Sequence, residues 1–454
     1  MTGGRIATTN REVTIELHGR KRGVMPAMRF RTFAIVGCLS VLLASPHHKV
    51  HADGVVRDGI GPISTGRGAT NLGFADNAAI IYDNPAAMSN VAGDGLLEAG
   101  VDTVICGLQY SDPDNPSADH IVRGYPAGMI GYVRRLPDSP WTLGLGGFAP
   151  AGFGAEYRMT NPFTGPATYK SLGLVGKLLP AVSYQWSDRL SIGANLGLAL
   201  GHNELEGPFF VQTGPFAGAP TLLDFQATGA AVAGGVGIQY LLTPQTTVGM
   251  AYTAPTRFNL DGNARATLIT GLGPLTSGFD AKAQLTWPGS LGIGVKHDLC
   301  CCQRIGVDVI WYQWASAFDS FDLQFTNPDN PVVAGLLGPT FRDSFPMNWH
   351  DTVSLRMGYE WDTSDLWTWR TGYVYHPSPA PNSTLCPYLD GVLLHTFSLG
   401  CTRRLSRGSF NFAYQYSFAP DRHVGTSDIV GGDFSNSTFK AEAHWINLSY
   451  LIPY

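Results

Sequence analysis

The chain ends on 446-INLSYLIPY-454. Positions 446, 448, 450, 452 and 454 are apolar or aromatic, while Asn447 and Ser449 are small and polar. Successive side chains of a strand point to opposite faces, so one face of this segment is apolar to the last residue. A strand with a greasy outer face and a terminal aromatic fits the closing strand of a transmembrane β-barrel, whose lipid face is apolar and whose lumen face is polar.

The same parity recurs upstream. Phe410, Phe412, Tyr414, Tyr416 and Phe418 alternate with Asn411, Ala413, Gln415 and Ser417. Val353, Leu355, Met357, Tyr359 and Trp361 face away from Thr352, Ser354, Arg356, Gly358 and Glu360, and Ile305, Val307, Val309 and Trp311 alternate with Gly306, Asp308 and Ile310. Turn signals between such runs come in two kinds. Short ones stand at 137–140, 187–189, 243–245, 300–303, 362–365 and 407–409; long ones, rich in Pro, Gly and Asn, stand near 112–120, 158–169, 207–226, 269–280, 326–348, 377–393 and 419–438. They alternate strictly, and six short plus seven long connections join fourteen strands. Short periplasmic turns and longer outer loops are the pattern of bacterial outer-membrane barrels. A soluble β-sandwich also alternates, but its wet face would carry charge, and these outward faces carry almost none.

Composition agrees. Charged residues are 14% of the 454, against about 25% for an ordinary soluble domain. Mean hydropathy is only +0.01, and no mature stretch is long and apolar enough for a spanning helix. A net charge of −5 does not suggest a nucleic-acid partner. The one dense apolar run, Phe33 to Ala44, follows Arg29 and Arg31 and precedes Val50-His51-Ala52. Basic flank, apolar core and small-residue exit describe a signal peptide, with cleavage expected after Ala52; Met1 to Val24 adds nothing to it. Ile35-Val36-Gly37-Cys38 looks like a lipoprotein box, but cleavage there would leave an apolar core of about five residues, shorter than signal peptides use.

Two places break the strand pattern. Asp76 to Val91 (DNAAIIYDNPAAMSNV) reads as a short helix over Ala75 to Tyr82, stopped at Asn84-Pro85-Ala86. Pro85 lacks the N–H that a sheet ladder needs, and Asn84 can satisfy backbone groups where the helix ends. Gly144 to Gly154 (GLGGFAPAGFG) puts Pro150, Gly147 and Gly152 inside the third expected strand, where they weaken pairing.

With the strands placed, the sequence resembles the FadL family of outer-membrane transporters for hydrophobic compounds, which includes long-chain fatty acid transporters and toluene-type channels. The likeness runs from about Gly59 to Tyr454. It is carried by Gly66-Arg67-Gly68-Ala69 leading to Asp76 and Asn84-Pro85-Ala86, by Trp287-Pro288 ahead of Gly292-Ile293-Gly294-Val295, by Asp308 to Trp314, by Trp349-His350-Asp351, and by Arg370-Thr371-Gly372-Tyr373 before Pro377-Ser378-Pro379. The resemblance implies an all-β fold: a fourteen-stranded antiparallel barrel, residues 94–454, plugged by an N-terminal hatch of short helices, residues 53–93, behind a leader of residues 1–52. It also implies that the third strand kinks inward and opens a gap in the wall, a lateral gate at Gly147, Pro150 and Gly152.

The expected function is passive uptake across the outer membrane of a hydrophobic small molecule, foremost a long-chain fatty acid, with an aromatic hydrocarbon or alkane as the alternative. Capture is assigned to Phe209, Phe210, Phe216, Leu222, Leu223 and Phe225 of the 207–226 connection. Ile310 and Trp314 face inward, and Lys177, on the inward parity of its strand, is the candidate partner of a carboxylate. Asp308, Arg356, Glu360 and Arg370 face the lumen on neighbouring strands; unpaired they would be costly, so they are expected to pair with one another or with the hatch. No cofactor, metal or catalytic residue is expected: Gly-x-Ser-x-Gly, His-Glu-x-x-His, the phosphate-binding glycine loop and Cys-x-x-Cys are missing. The rival of another class is a barrel-borne lipid hydrolase, which would need Ser, His and a carboxylate converging at one rim. Six cysteines follow the leader, three of them consecutive at Cys300-Cys301-Cys302. The expected partners are the hydrophobic ligand and outer-membrane lipid, with the chain acting as a monomer.

A direct consequence can be checked. The protein should fractionate with the outer membrane, migrate faster on gels unheated than boiled, and show a mature N-terminus at Asp53 by intact mass. Recovery as a soluble periplasmic protein would overturn the barrel reading.

Overall fold

The computed structural model describes residues 55–454, apart from 272, 390–392 and 433. The expected leader and the start of the mature chain at Asp53 lie outside the described residues. Alternation is realised as a single closed antiparallel sheet of fourteen passes. These are β1 Gly95–Ser111, β2 Gly124–Arg135 (preceded by the two-residue segment Ala118–Asp119), β3 Trp141–Asn161, β4 Gly165–Ser187, β5 Leu190–Phe210 and β6 Pro220–Thr243. There follow β7 Thr246–Thr253 with Thr256–Thr270, β8 Gly273–Trp287 with Ser290–Cys300, β9 Gln303–Tyr312 with Ser320–Thr326, and β10 Thr340–Pro346 with Thr352–Ser364. The last are β11 Trp367–Tyr375, β12 His395–Leu405, β13 Gly408–Phe418 (extended by Arg422–Val424) and β14 Ser437–Pro453. Each pass pairs with the next, and β14 pairs with β1 from Leu96↔Pro453 to Ser111↔Thr438 to close the ring. Pro255 and Pro288, each without an N–H to give, lie in the breaks of β7 and β8.

Side chains sort as the parity requires. On β5, Leu196, Leu198 and Leu200 are 67%, 58% and 62% exposed, an apolar band that only lipid can cover. Asn411, Asn447, Ser449 and Gln415 on the other parity are buried in the lumen. The two-residue turns 188–189, 244–245, 301–302, 365–366 and 406–407 stand at one end with the start of β1 and the C-terminal Tyr454, and the irregular connections stand at the other.

Three expected loops are shorter than their composition suggested. Strands run to Asn161 and restart at Gly165, run to Thr270 and restart at Gly273, and run to Phe210 before restarting at Pro220. Gly165 (φ +71°) and Gly273 (φ +117°) hold the left-handed backbone that tight turns need, so the ladder continues past the membrane and the Gly- and Pro-rich stretches are absorbed as strand ends. Several connections carry structure of their own: 3₁₀ turns at Gly214–Phe216 and Asn382–Thr384 and a helix at Pro331–Leu337.

The segment before β1 folds inside the ring. It forms helix α1 Gly61–Gly66, helix α2 Ile80–Asp83 and a 3₁₀ turn Pro85–Asn90, with Ile63, Ile80, Ile81, Ala86 and Met88 buried. The helix expected over Ala75 to Tyr82 is confined to α2. Asn77 Oδ1 accepts from Ala79 N at 3.0 Å and Asp76 is tied back to Arg67, and such local side-chain bonds compete with helix. Asn84 plays its expected stop role: its carbonyl oxygen accepts from Ala86 N (3.2 Å) and its amide donates to Leu72 O and to Ile238 O of the wall. Wall glycines let the plug sit this close. A Cβ at Gly249 would lie 1.8 Å from Leu72 O, and one at Gly237 2.0 Å from Asn84 Oδ1. The plug then runs directly into the seam, where Asp94 N and Gly95 N donate to Tyr454 O at 2.7 and 3.1 Å.

Gly249→Val should therefore unseat the plug while leaving the lipid face of β7 unchanged. We expect the heat-induced gel shift to move to lower temperature, in line with about 1–3 kcal/mol of overpacking, and single-channel conductance to rise. Unchanged values of both would show that the plug does not depend on this contact.

Candidate functional site

The wall is incomplete at β3. This strand pairs with β2 only from Arg135↔Thr142 to Met129↔Phe148. Its pairing with β4 slips between Phe148 and Ala151, around Pro150, which has no N–H to donate. On the other side, β2 residues from Gly124 to Gly128 pair with β1 but not with β3. Gly147 is paired on both flanks, to Ile130 and Leu178, so it belongs to the closed wall; the break begins after Phe148 and includes Pro150 and Gly152. The sequence did not mark what fills it. Val56 of the plug bridges Ala151, Arg57 N donates to Pro150 O and Gly152 N donates to Val55 O, both at 3.3 Å. Arg57 also donates to Ala149 O at 2.9 Å and pairs with Asp102 at 2.5 Å, with its guanidinium 5.0 Å from the Trp445 ring centroid.

A cavity of about 500 Å³ lies at this break. Its lining includes outward Val101 and Leu174 as well as inward Val175 and Ala443, together with Arg57 and Tyr388, so it passes through the wall. Nearer the loop end lies a smaller apolar cavity of about 70 Å³. Phe209, Phe210, Phe216 and Leu223 line it with Phe325, Leu336 and Phe341, and Asp343 is its one charged lining residue. Of the other residues assigned to capture, Leu222 takes the opposite parity of β6, and Phe225 is buried against Phe321 at 6.5 Å; neither lines this cavity. All but Phe216 stand on strand ends rather than in a loop. Between the two cavities stands Tyr388, stacked on Phe209 with centroids 4.3 Å apart and its hydroxyl donating to Pro208 O at 2.8 Å. Nothing in the sequence distinguishes Tyr388 from other loop aromatics, since its role depends on which strand end the loop folds over.

The lumen charges hold the plug. Arg67 pairs with Asp76 at 2.6 Å and approaches Glu360 at 3.5 Å. Glu360 also receives Arg304 at 2.5 Å and Arg370. Asp308 accepts from Asn71 N and Leu72 N at 2.8 and 3.1 Å, and Arg356 donates to Ala69 O and the Tyr312 hydroxyl. Burial works to raise the Asp76 carboxyl, but the Arg67 guanidinium outweighs it and holds the group well below the ordinary range. Asp83, half-buried, accepts from the Asn71 amide at 2.6 Å, and desolvation pushes its carboxyl up to about 6. Ala86 O accepts from Ser183 Oγ at 3.1 Å, and Pro85 packs where a Cβ at Gly193 would intrude.

Three assignments move. Lys177 is buried, its ammonium 5.4 Å from the Tyr82 ring centroid, and it lines neither the loop-end cavity nor the lateral one. Parity gave its face correctly but not the plug residue that covers it. Trp314 is fully buried in an aromatic cluster with Trp349, Phe318 and Trp287 at 4.9, 5.2 and 6.0 Å, packing the break in β9. Ile310 lines a cleft of about 50 Å³ beside Tyr82 and Arg356 rather than either apolar cavity. Among the described residues no group of His, Cys, Asp and Glu side chains is arranged to hold a metal ion.

The sequence model of the family described as outer membrane protein transport protein (OMPP1/FadL/TodX) matches residues 63–450. No individual curated protein matches the chain. Among solved structures, the Pseudomonas putida toluene transporter TodX superposes with TM-score 0.73 at 20% identity, covering 87% of this chain and 99% of that one. A Pseudomonas aeruginosa FadL homologue gives 0.70 at 18%, covering 88% and 99%. The Ralstonia pickettii toluene transporter TbuX gives 0.68 at 21%, covering 87% and 99%. With a plugged fourteen-stranded barrel matched along nearly all of its described length, the chain belongs to the OMPP1/FadL/TodX family of outer-membrane transporters for hydrophobic compounds.

Proposed function

We propose that this transporter carries small neutral hydrophobic molecules, aromatic hydrocarbons foremost, from the loop-end cavity past Tyr388 into the lateral cavity and out through the break in β3. The observation that carries this reading is the pairing of two apolar cavities across the Phe209–Tyr388 stack, with Asp343 as the only charge lining the first. A carboxylate entering there would meet another carboxylate. The lateral cavity, about 500 Å³, is of a size that suits a small ligand. Long-chain fatty acid, the other reading, draws support from Arg57 in the lateral cavity, although its guanidinium already serves Asp102 and Ala149 O.

Transport is passive. A molecule partitions into the loop-end cavity because apolar surface leaves water, Tyr388 swings off Phe209, and the ligand reaches the break. The plug movement this needs is local: Val55 to Arg57 peel from Pro150 and Gly152 while the charges around Arg67 and Glu360 stay paired. Exit into outer-membrane lipid then bypasses the polar outer leaflet. The chain is exported by its cleaved leader, its hatch spans residues 53–93, and it works as a monomer.

Val56→Cys with Ala151→Cys tests the route, because these residues are direct bridge partners at a spacing a disulfide can span. In cells lacking other transporters, toluene uptake should fall to background in the oxidised protein and recover on reduction, and Tyr388→Ala should speed uptake of the unlocked protein severalfold. Full uptake with the bridge closed would remove the lateral route. Uptake of oleate but not toluene would overturn the substrate reading.

A further inference from the structure

The turn joining β8 to β9 consists of cysteines: Cys300 ends β8, and Cys301 and Cys302 form the two-residue turn. All three are free thiols; Cys300 and Cys301 are exposed and Cys302 is half-buried. The ladder slips between Asp298 and Cys300. Across this turn, Cys300 Sγ and Cys302 Sγ come within 3.4 Å of each other. The turn stands at the short-turn end of the barrel, the periplasmic end, in a compartment where disulfides form and persist.

We propose that Cys300 and Cys302 are a redox modification site, closed to a reversible disulfide by a protein thiol–disulfide donor of the exported compartment. Adjacent cysteines would have to distort the planar peptide between them to pair, so the one-residue spacing selects Cys300 with Cys302 and leaves Cys301 as a thiol. Cys300 reacts first. The Cys302 backbone amide donates to its sulfur and lowers its pKa, whereas the hydrogen bond shared with Cys300 pushes the Cys302 thiol up to about 11. The Cys300 thiolate attacks one sulfur of the donor's disulfide, that bond breaks, and one donor sulfur leaves as a thiolate. Cys302, giving up its proton, then attacks Cys300 Sγ and expels the second donor sulfur. The turn loses two electrons and two protons, and the donor gains both. Exposure keeps the new bond within reach of reductants, as in labile rather than structural disulfides.

The site acts on a sensitive part of the barrel. Lys296, four residues before Cys300, packs its backbone against the plug, where a Cβ on Gly73 would lie 2.7 Å from Lys296 N. Arg304, two residues after Cys302, holds Glu360 and Asp362. Tightening the hairpin between them bears on both contacts.

The test is made on the full-length protein purified from outer membranes without reductant, alkylated under denaturing conditions, digested and read by mass spectrometry. We expect the 300–302 peptide to carry alkyl only on Cys301 and to be two hydrogens lighter, with all three labelled after reduction. The oxidised fraction should follow the ratio of oxidised to reduced glutathione in both directions. In Cys302→Ser, Cys300 should label before reduction. Labelling of both Cys300 and Cys302 in the unreduced protein, unchanged after incubation with oxidised glutathione, would overturn the proposal, and so would a bridge from either to Cys301 or to another chain.

Discussion

A backbone N–H or C=O in hydrocarbon must find its partner within the protein. Closure of β1 onto β14 meets that requirement around the ring. The one sustained failure among the described strands is at β3, where Pro150 has no donor and the ladder to β2 stops at Phe148. The carbonyl and amide left over there are bonded by Val55 and Arg57 of the plug. Plug and opening are thus two sides of one requirement, since release of the segment that completes the wall would unmake it.

The lumen is polarised along its axis. At the loop end the interior is aromatic and aliphatic, from Phe209 and Phe210 across to Phe325 and Phe341. At the turn end it is crossed by guanidinium and carboxylate groups centred on Glu360. Removing one partner from such a buried set costs about 3–5 kcal/mol, so this half of the plug is anchored by a charge network, while Val55 to Arg57 are held by two backbone hydrogen bonds and the Arg57 contacts to Ala149 O and Asp102. Release of Val55 to Arg57 from β3 breaks their two backbone hydrogen bonds and leaves the Glu360 cluster intact.

Much of this was legible in the sequence. A period of two fixes the face of a residue, and so the outward Phe410 and Phe412 of β13, the lumen position of Asp308, Arg356, Glu360 and Arg370, and the alternation of turns could be read directly. A proline between glycines announced the break at Pro150, although Gly147 turned out to be paired. What a period of two does not encode is depth along the barrel. Hence Phe209 and Leu223 were assigned to a loop when they stand on strands that outrun the membrane, and Lys177 was placed in the lumen without sign that Tyr82 covers it. Trp314 illustrates the same limit: an inward aromatic can face a ligand or another tryptophan, and the choice depends on neighbours distant in sequence. Tyr388 and Val55 to Arg57 act through contacts with strands far away in the chain, beyond the reach of local pattern.

The glycines that let the plug touch the wall also constrain how the molecule is made. Leu72 O and Asn84 occupy recesses at Gly249 and Gly237 that a side chain would fill, and the plug continues without a linker into the seam at Tyr454. A stopper keyed into its sleeve in this way is hard to thread through a finished ring. Assembly is therefore better served by a sheet that curls around a preplaced N-terminal segment, with the first and last strands meeting late. Their pairing is the most non-local in the chain, the kind of contact that slows folding. Seating the plug and closing the seam are thereby coupled, because a displaced plug would carry Asp94 and Gly95 out of register with Tyr454.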